Sequence, residues 1–175
     1  MKKMLLIILF VLLLPSVGVS AKKKDTTYTI LETQIAEQAR RMRDLTTKLV
    51  ERFEAKKKRQ EEIKLLAEVM YWENWYTDKD KRAAYLTAAV VLNRVKSKGF
   101  PDTIEEVLYQ KKPLQYSTTQ YFFTKELPQE CYELAEQIYD NGTPDVPENV
   151  LFQSQNEYLG RGNYDTINGE YFNYG

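Results

Sequence analysis

One carboxylate in this sequence lies where a charged side chain is costly to bury. Glu73 follows Met70 by three residues and Leu66 by seven, so it shares one face of a helix with apolar side chains. Aromatic residues flank it within Tyr71–Tyr76. Desolvation by such neighbours raises the pKa of a glutamate and lets it act as a general acid near neutral pH. On periodicity alone, a glutamate that faces solvent or pairs with a basic residue is the simpler interpretation.

The complete absence of histidine narrows the chemistry that this chain can perform. Zinc hydrolases need imidazole ligands, and serine or cysteine hydrolases ordinarily need an imidazole base. The sequence contains no glycine-rich phosphate loop either. Acid and base catalysis must therefore fall to carboxylates, and cleavage of a glycosidic bond needs nothing else. We expect neither a metal ion nor an organic cofactor.

The N-terminus has the pattern of an export signal. The basic start Met1–Lys3 precedes the unbroken apolar run Met4–Leu14, and small residues follow as far as Ala21. The run is too short to cross a bilayer comfortably, so a cleaved signal over residues 1–21 is favoured, and membrane attachment would come only from an uncleaved signal. We expect a protein that is secreted or held in the cell wall. The 25 basic and 25 acidic residues balance, which gives no indication of nucleic-acid binding.

Residues 22–62 form a charged stalk between this signal and the rest of the chain. Within it and just beyond, Ile30–Ile63 lacks glycine and proline and repeats apolar residues every seven positions, at Ile35, Met42 and Leu49. We expect one long helix here. The apolar repeat stops in a lysine-rich stretch. A solvated spacer and a helix for homodimerisation or wall contact are therefore equal alternatives.

Residues 63–175 form a domain whose pattern is mainly helical. Ala84–Val95 is apolar enough to be a central helix, and Pro128 begins a further helix that ends at Asn141-Gly142. Helix signals then fade, and Asn168-Gly169 is the dipeptide of a tight type I′ hairpin. The expected fold class is α+β, mostly α, with a long N-terminal helix and a small terminal β-sheet.

Six short stretches from about Leu65 to the C-terminus carry a family resemblance. They are Leu66–Glu73, Ala88–Val95, Gly99–Ile104, Val107–Gln110, Gln115–Ser117 and Val150–Phe152. In order and spacing they resemble the SleB-type cell wall hydrolases, the family of the spore cortex-lytic enzymes. The resemblance implies a lysozyme-like catalytic domain that acts on peptidoglycan glycan strands. It places Glu73 at the position of the family's single catalytic glutamate.

The resemblance also directs attention to residues that would bind the substrate. Amide and hydroxyl groups suit sugar hydroxyls and N-acetyl groups, and aromatic rings cover the flat faces of sugars, although core packing is their commoner role. The candidates are Trp72, Gln115, Tyr116, Ser117, Phe152 and Gln153.

The sequence departs from the family pattern in three places. Asn74–Thr77 stands where the family usually has Ala-Arg-Gly-Glu, with one extra residue before the next helix, so the family's second glutamate is missing. Near the C-terminus, Glu170 replaces a histidine of the family. The usual wall-binding repeats are absent, and the charged helix stands in their place.

The resemblance implies a lytic transglycosylase. Glu73 would protonate the oxygen between N-acetylmuramic acid and N-acetylglucosamine. It would then take the proton of the muramyl C6 hydroxyl as a 1,6-anhydro ring closes, which requires no second carboxylate. A hydrolytic muramidase, which ordinarily needs a carboxylate partner, is the second interpretation. Its positional candidates are Asp78, Asp80, Asp165 and Glu170. A non-catalytic wall-binding or scaffold protein is the third.

Overall fold

The computed structural model describes residues 26–76, 80–112, 114–155 and 159–175. The predicted export signal lies outside these ranges. The chain divides into two compact units, Met1–Val50 and Glu51–Gly175. None of the helices in the described ranges is long and apolar enough to span a bilayer.

The first helix, α1, runs without interruption over Thr26–Met70, which confirms the predicted long N-terminal helix. In the first unit, the apolar residues that recur every seven positions face solvent. Ile35 is 59% exposed, Met42 61% and Leu49 64%. Dimerisation through these residues stays a prediction, and size-exclusion chromatography with and without residues 22–62 would measure it.

The second unit contains the end of α1 and the remaining elements. After α1 come a π-helical turn, three α-helices and a 3₁₀ turn: Tyr71–Trp75, α2 (Lys81–Lys96), α3 (Ile104–Leu108), Ser117–Tyr121 and α4 (Gln129–Asn141). The carboxylate of Asp80 caps α2 by accepting hydrogen bonds from the backbone N–H groups of Arg82 and Ala83 at 2.8 and 3.0 Å. The π-helical and 3₁₀ turns were not foreseen from the sequence.

A three-stranded antiparallel sheet completes the unit. Its strands are β1 (Val150–Ser154), β2 (Asn163–Ile167) and β3 (Glu170–Tyr174), in the order β1-β3-β2. Positive φ angles at Asn168 and Gly169, 53° and 81°, close the β2–β3 hairpin, as a type I′ turn requires. The mostly helical α+β fold class is therefore confirmed.

Helix α2 occupies the centre of this unit, because apolar side chains cover it on two sides. One cluster joins it to the end of α1 and to α3 and α4 through small side chains such as Ala84 and Ala88, which are fully buried. A second cluster, which includes Leu86, Val90 and Phe172, packs it against the sheet. The π-helical turn and the sheet therefore both lie against α2, and this brings residues from opposite ends of the domain close together.

Candidate functional site

The π-helical turn Tyr71–Trp75 positions Glu73. A π turn holds one more residue than an α-helical turn, and such bulges are frequent at functional sites. Buried neighbours anchor it: Trp75 is in the core, and the Asn74 side chain donates a hydrogen bond to the hydroxyl of Thr87 in α2 at 2.5 Å. Glu73 itself is half-buried, so its carboxyl group is held by a rigid turn and still reaches the surface.

The carboxyl group of Glu73 has one hydrogen-bond donor among the described residues. The hydroxyl of Thr118, in the 3₁₀ turn, donates to Glu73 Oε1. Burial raises the pKa of Glu73 above its ordinary value, and the hydrogen bond from Thr118 opposes this rise in part. Thr118 was not predicted as a site residue from the sequence. The one feature that could have pointed to it is its position directly after the Gln115–Ser117 stretch.

The predicted substrate-binding stretch places its three side chains in three different surroundings. The amide of Gln115 is engaged on both sides, accepting from the guanidinium of Arg94 and donating to the backbone carbonyl of Gln153 at 2.6 Å. Tyr116 is fully buried. Ser117 is exposed. The stretch therefore joins α2 to the sheet, and Ser117 is its accessible side chain.

Arg94 is a buried cation that holds this region together. Only 1% of it is exposed, and burial lowers its pKa. Its Nε donates to the carbonyl of Leu151 at 2.6 Å, and its guanidinium lies 4.9 and 5.6 Å from the ring centres of Phe100 and Phe152. A guanidinium stays charged, so when buried it requires acceptors and aromatic faces of this kind. Phe152, a predicted substrate contact, thus packs on Arg94 and is half-buried.

Gln153 and Glu170 lie on adjacent strands and are hydrogen-bonded to each other. Gln153 is 3% exposed, and its Nε2 donates to Glu170 Oε1 at 2.6 Å. Burial, together with the negative charge of Glu73, raises the pKa of Glu170 to about 7. One loop contacts the surroundings of both carboxyl groups, because Thr118 donates to Glu73 and Gln115 donates to the backbone carbonyl of Gln153.

The other acidic residues considered as carboxylate partners of Glu73 either make structural hydrogen bonds or lie outside the described residues. Asp80 caps α2 and also accepts from the side-chain amide of Asn168 at 3.3 Å. Asp165 accepts from the backbone N–H of Thr166 at 2.8 Å. Asp78 lies outside the described residues. Within those residues no group of three or more acidic or cysteine side chains is arranged to hold a metal ion.

An aromatic surface adjoins Glu73 on the π-helical turn. The ring of Trp72 lies 5.2 Å from that of Tyr76 and 5.3 Å from that of Tyr121, with tilted ring planes. The ammonium group of Lys125 stands over it, 4.9 Å from Trp72 and 4.4 Å from Tyr76. Tyr76 and Tyr121 are 56% and 48% exposed. We call Trp72, Tyr76 and Tyr121 the aromatic platform, and the exposed parts of Tyr76 and Tyr121 offer the flat apolar surface on which sugar rings can pack.

The comparison with protein families gives one match. A family model described as Cell Wall Hydrolase matches residues 77–170, which is more than half of the chain. The matched segment includes the Gln115–Thr118 loop, Gln153 and Glu170, whereas Glu73 lies just before it. Neither the curated proteins nor the solved structures contain a match to this chain.

Proposed function

Because the chain belongs to the SleB-type cell wall hydrolase family and so acts on peptidoglycan, we propose that it is an exported lytic transglycosylase whose catalytic acid is Glu73. The bond cleaved would be the one between N-acetylmuramic acid and N-acetylglucosamine. The observation that carries the proposal is the setting of Glu73, a half-buried residue that accepts a hydrogen bond from Thr118 and directly follows Trp72 of the aromatic platform in the chain.

The reaction begins with a protonated Glu73, which burial favours by raising its pKa. Thr118 donates to Oε1, so Oε2 is the oxygen free to carry the transferable proton. That proton passes to the glycosidic oxygen as the bond to the anomeric carbon breaks. The resulting carboxylate then accepts the proton of the muramyl C6 hydroxyl while O6 bonds to the anomeric carbon. The product is a 1,6-anhydro sugar, and Glu73 is protonated again.

Substrate contacts divide into direct and supporting ones in this proposal. The half-buried Trp72, which precedes Glu73 in the chain, and the exposed hydroxyl of Ser117 would be the direct contacts. Gln115 and Tyr116 would act by fixing the loop, because the amide of one is engaged and the ring of the other is fully buried. Phe152, packed on Arg94, would support β1 in the same way.

A hydrolytic muramidase remains the second candidate, and one observation favours it. Glu170 supplies a second carboxyl group within electrostatic reach of Glu73. A carboxylate in such a position could activate a water molecule, which would give products with reducing ends. The nature of the new sugar end therefore separates the two candidates.

The test is Glu73→Gln, which keeps the shape of the side chain and removes the proton. We expect digestion of purified peptidoglycan to fall by about 10³-fold or more, because general acid–base catalysis contributes on the order of 10²–10⁴-fold at each step. Binding to sedimented peptidoglycan should be retained. Glu148→Gln, the same change at an exposed position, is the matched control.

Three outcomes decide the assignment. Undiminished digestion by Glu73→Gln would remove Glu73 from the mechanism. Mass spectrometry of the fragments released by the wild-type protein should find 1,6-anhydro ends, whereas reducing ends would select the muramidase. Release of neither product, with binding intact, would favour the non-catalytic scaffold.

A further inference from the structure

The ammonium group of Lys125 lies on aromatic rings of the segment that contains Glu73. Its Nζ is 4.4 Å from the ring centre of Tyr76, 4.6 Å from that of Tyr71 and 4.9 Å from that of Trp72. The same rings pack on one another, with centres 5.2 Å apart both for Tyr71 and Trp72 and for Trp72 and Tyr76. A cation at these distances is attracted to each ring face. The three rings therefore hold a positive charge beside the π-helical turn that carries the proposed acid.

No acidic group in the described residues pairs with this charge. Lys125 is exposed, and its ammonium group forms neither an ion pair nor a hydrogen bond within the described ranges. Lys81 provides a contrast at the same turn, because its Nζ lies 5.5 Å from the ring centre of Trp75 and also 3.5 Å from a carboxylate oxygen of Glu130. Ring faces attract a cation without accepting its three N–H donors as a carboxylate does. The rings therefore position Lys125 and leave those donors for an anion outside the protein.

We propose that Lys125 is a specificity residue that binds a free carboxylate of the peptide attached to the muramyl sugar. The inference rests on the proposed function, which places that sugar at Glu73. An N-acetylated glycan strand has no charge of its own, so the carboxylates of peptidoglycan belong to the peptides that its muramyl residues carry. The subsite combines the ring faces of the aromatic platform, which suit the sugar, with an ammonium group, which suits the anion.

The order of residues along the chain brings both contacts to the same sugar. Trp72, on which the ammonium group of Lys125 lies, immediately precedes Glu73, and neighbouring Cα atoms are about 3.8 Å apart. In a muramyl residue the peptide is attached at C3, two carbons from the anomeric carbon at which the bond is cleaved. The charged peptide is thus tethered to the sugar that the acid must engage. Phosphate groups of other wall polymers carry the same charge but lack this tether at every reacting sugar, so the peptide carboxylate is the ligand that we favour.

The test measures binding to sedimented peptidoglycan in the Glu73→Gln background, so that the material stays intact. The first material is peptidoglycan freed of phosphate polymers with hydrofluoric acid. The second is the same peptidoglycan after carbodiimide and ammonia have converted its carboxyl groups to amides, and the third is wall material that retains the phosphate polymers. Each is tested with Lys125 intact, with Lys125→Gln, with Lys125→Arg and with the control Lys81→Gln. The control removes a cation that also lies on a ring of the turn but is already paired.

With Lys125 intact, conversion of the carboxyl groups to amides should weaken binding by about 3- to 5-fold, the effect of one exposed ion pair. Lys125→Gln should weaken binding to the first material by the same factor and remove the difference between the first two materials. Lys125→Arg keeps the charge and should retain most of the preference, and Lys81→Gln should retain all of it. Should Lys125→Gln fail to fold, Lys125→Met replaces it, because methionine keeps a long side chain and removes the charge.

Two results would overturn the inference. If Lys125→Gln weakened binding equally to peptidoglycan with and without free carboxylates, or not at all, Lys125 would have no role in recognising the peptide. If its effect appeared only on walls with phosphate polymers, the ligand would be a phosphate and not the peptide. Failure of the proposed function is measured separately. It would appear as digestion by Glu73→Gln with Lys125 intact, whereas the subsite is measured by binding.

Discussion

Two glutamates near the end of α1, Glu68 and Glu73, share a direction of pKa shift and differ in access to solvent. Burial raises the pKa of both. Glu68 is 1% exposed, and its Oε2 accepts a hydrogen bond from the Trp72 indole N–H at 3.0 Å. Glu73 is half-buried and accepts from the Thr118 hydroxyl. The first carboxyl group is enclosed by the protein, and the second is open to a ligand.

A raised pKa therefore reports burial in both residues, and exposure to solvent is what distinguishes the residue proposed as the acid. Glu68 has a structural contact, because its carboxyl group accepts from and orients Trp72 of the aromatic platform. Glu73 keeps part of its surface exposed, which fits the acid role proposed for it.

The largest effect that would separate these two residues is on activity. Glu73→Gln should abolish digestion, whereas Glu68→Gln should lose less than about 10-fold, because an amide oxygen can still accept from Trp72. The rate of muropeptide release measures both. If Glu68→Gln were as inactive as Glu73→Gln, enclosure would not exclude a catalytic role and the distinction drawn here would fail.

Stability should show the reverse order. Glu68→Ala leaves the Trp72 indole N–H without its acceptor and opens a cavity at a buried position, so it should cost about 3 kcal/mol of unfolding free energy. Glu73→Ala should cost less than about 1 kcal/mol, because the Thr118 hydroxyl can turn to water. Urea denaturation followed by circular dichroism compares them. Equal losses would mean that Glu73 carries structural load as well.

The parts of the fold that depend on local sequence signals were predicted, and a part that depends on tertiary contacts was not. The long helix follows from a stretch without glycine or proline, and the hairpin follows from Asn168-Gly169, whose backbone angles only a few residues adopt readily. The π-helical turn Tyr71–Trp75 could not be predicted in this way, because periodicity describes regular turns and a bulge depends on the tertiary anchors on either side of it.

For the candidate site, the sequence singled out a residue with a local signal, whereas contacts between distant segments left no signal in it. Glu73 stood out because a carboxylate on an apolar face is unusual. The loop contacts that connect its surroundings with those of Glu170 depend on the fold, which no spacing encodes. Arg94 was visible within a family stretch, but its role as a buried clamp on Gln115 and Leu151 required the fold.

Trp72 links the enclosed glutamate to the open one, and a smaller effect follows from that link. Trp72→Phe keeps an aromatic ring and removes the indole N–H that bonds to Glu68. We expect kcat/KM to fall by about 10-fold, roughly the value of one hydrogen bond to a charged group. Tyr121→Phe keeps its ring and loses only a hydroxyl, so it should change kcat/KM by less than about 2-fold. Equal effects would mean that the platform acts through ring area alone.

The smallest effect is the pH dependence of stability. A carboxyl group whose pKa is raised in the folded state contributes stability that is complete below its unfolded pKa, about 4.3, and is lost as pH rises through the folded pKa. Glu68→Gln removes this loss, so its stability relative to the wild type should improve between pH 4 and pH 7, by less than the cost of Glu68→Ala. Thermal unfolding at the two pH values measures the change, with the exposed Glu148→Gln expected to show none. A constant difference between Glu68→Gln and the wild type would mean that the enclosed carboxyl group titrates as it does in the unfolded chain, and enclosure would then have no energetic consequence for Glu68.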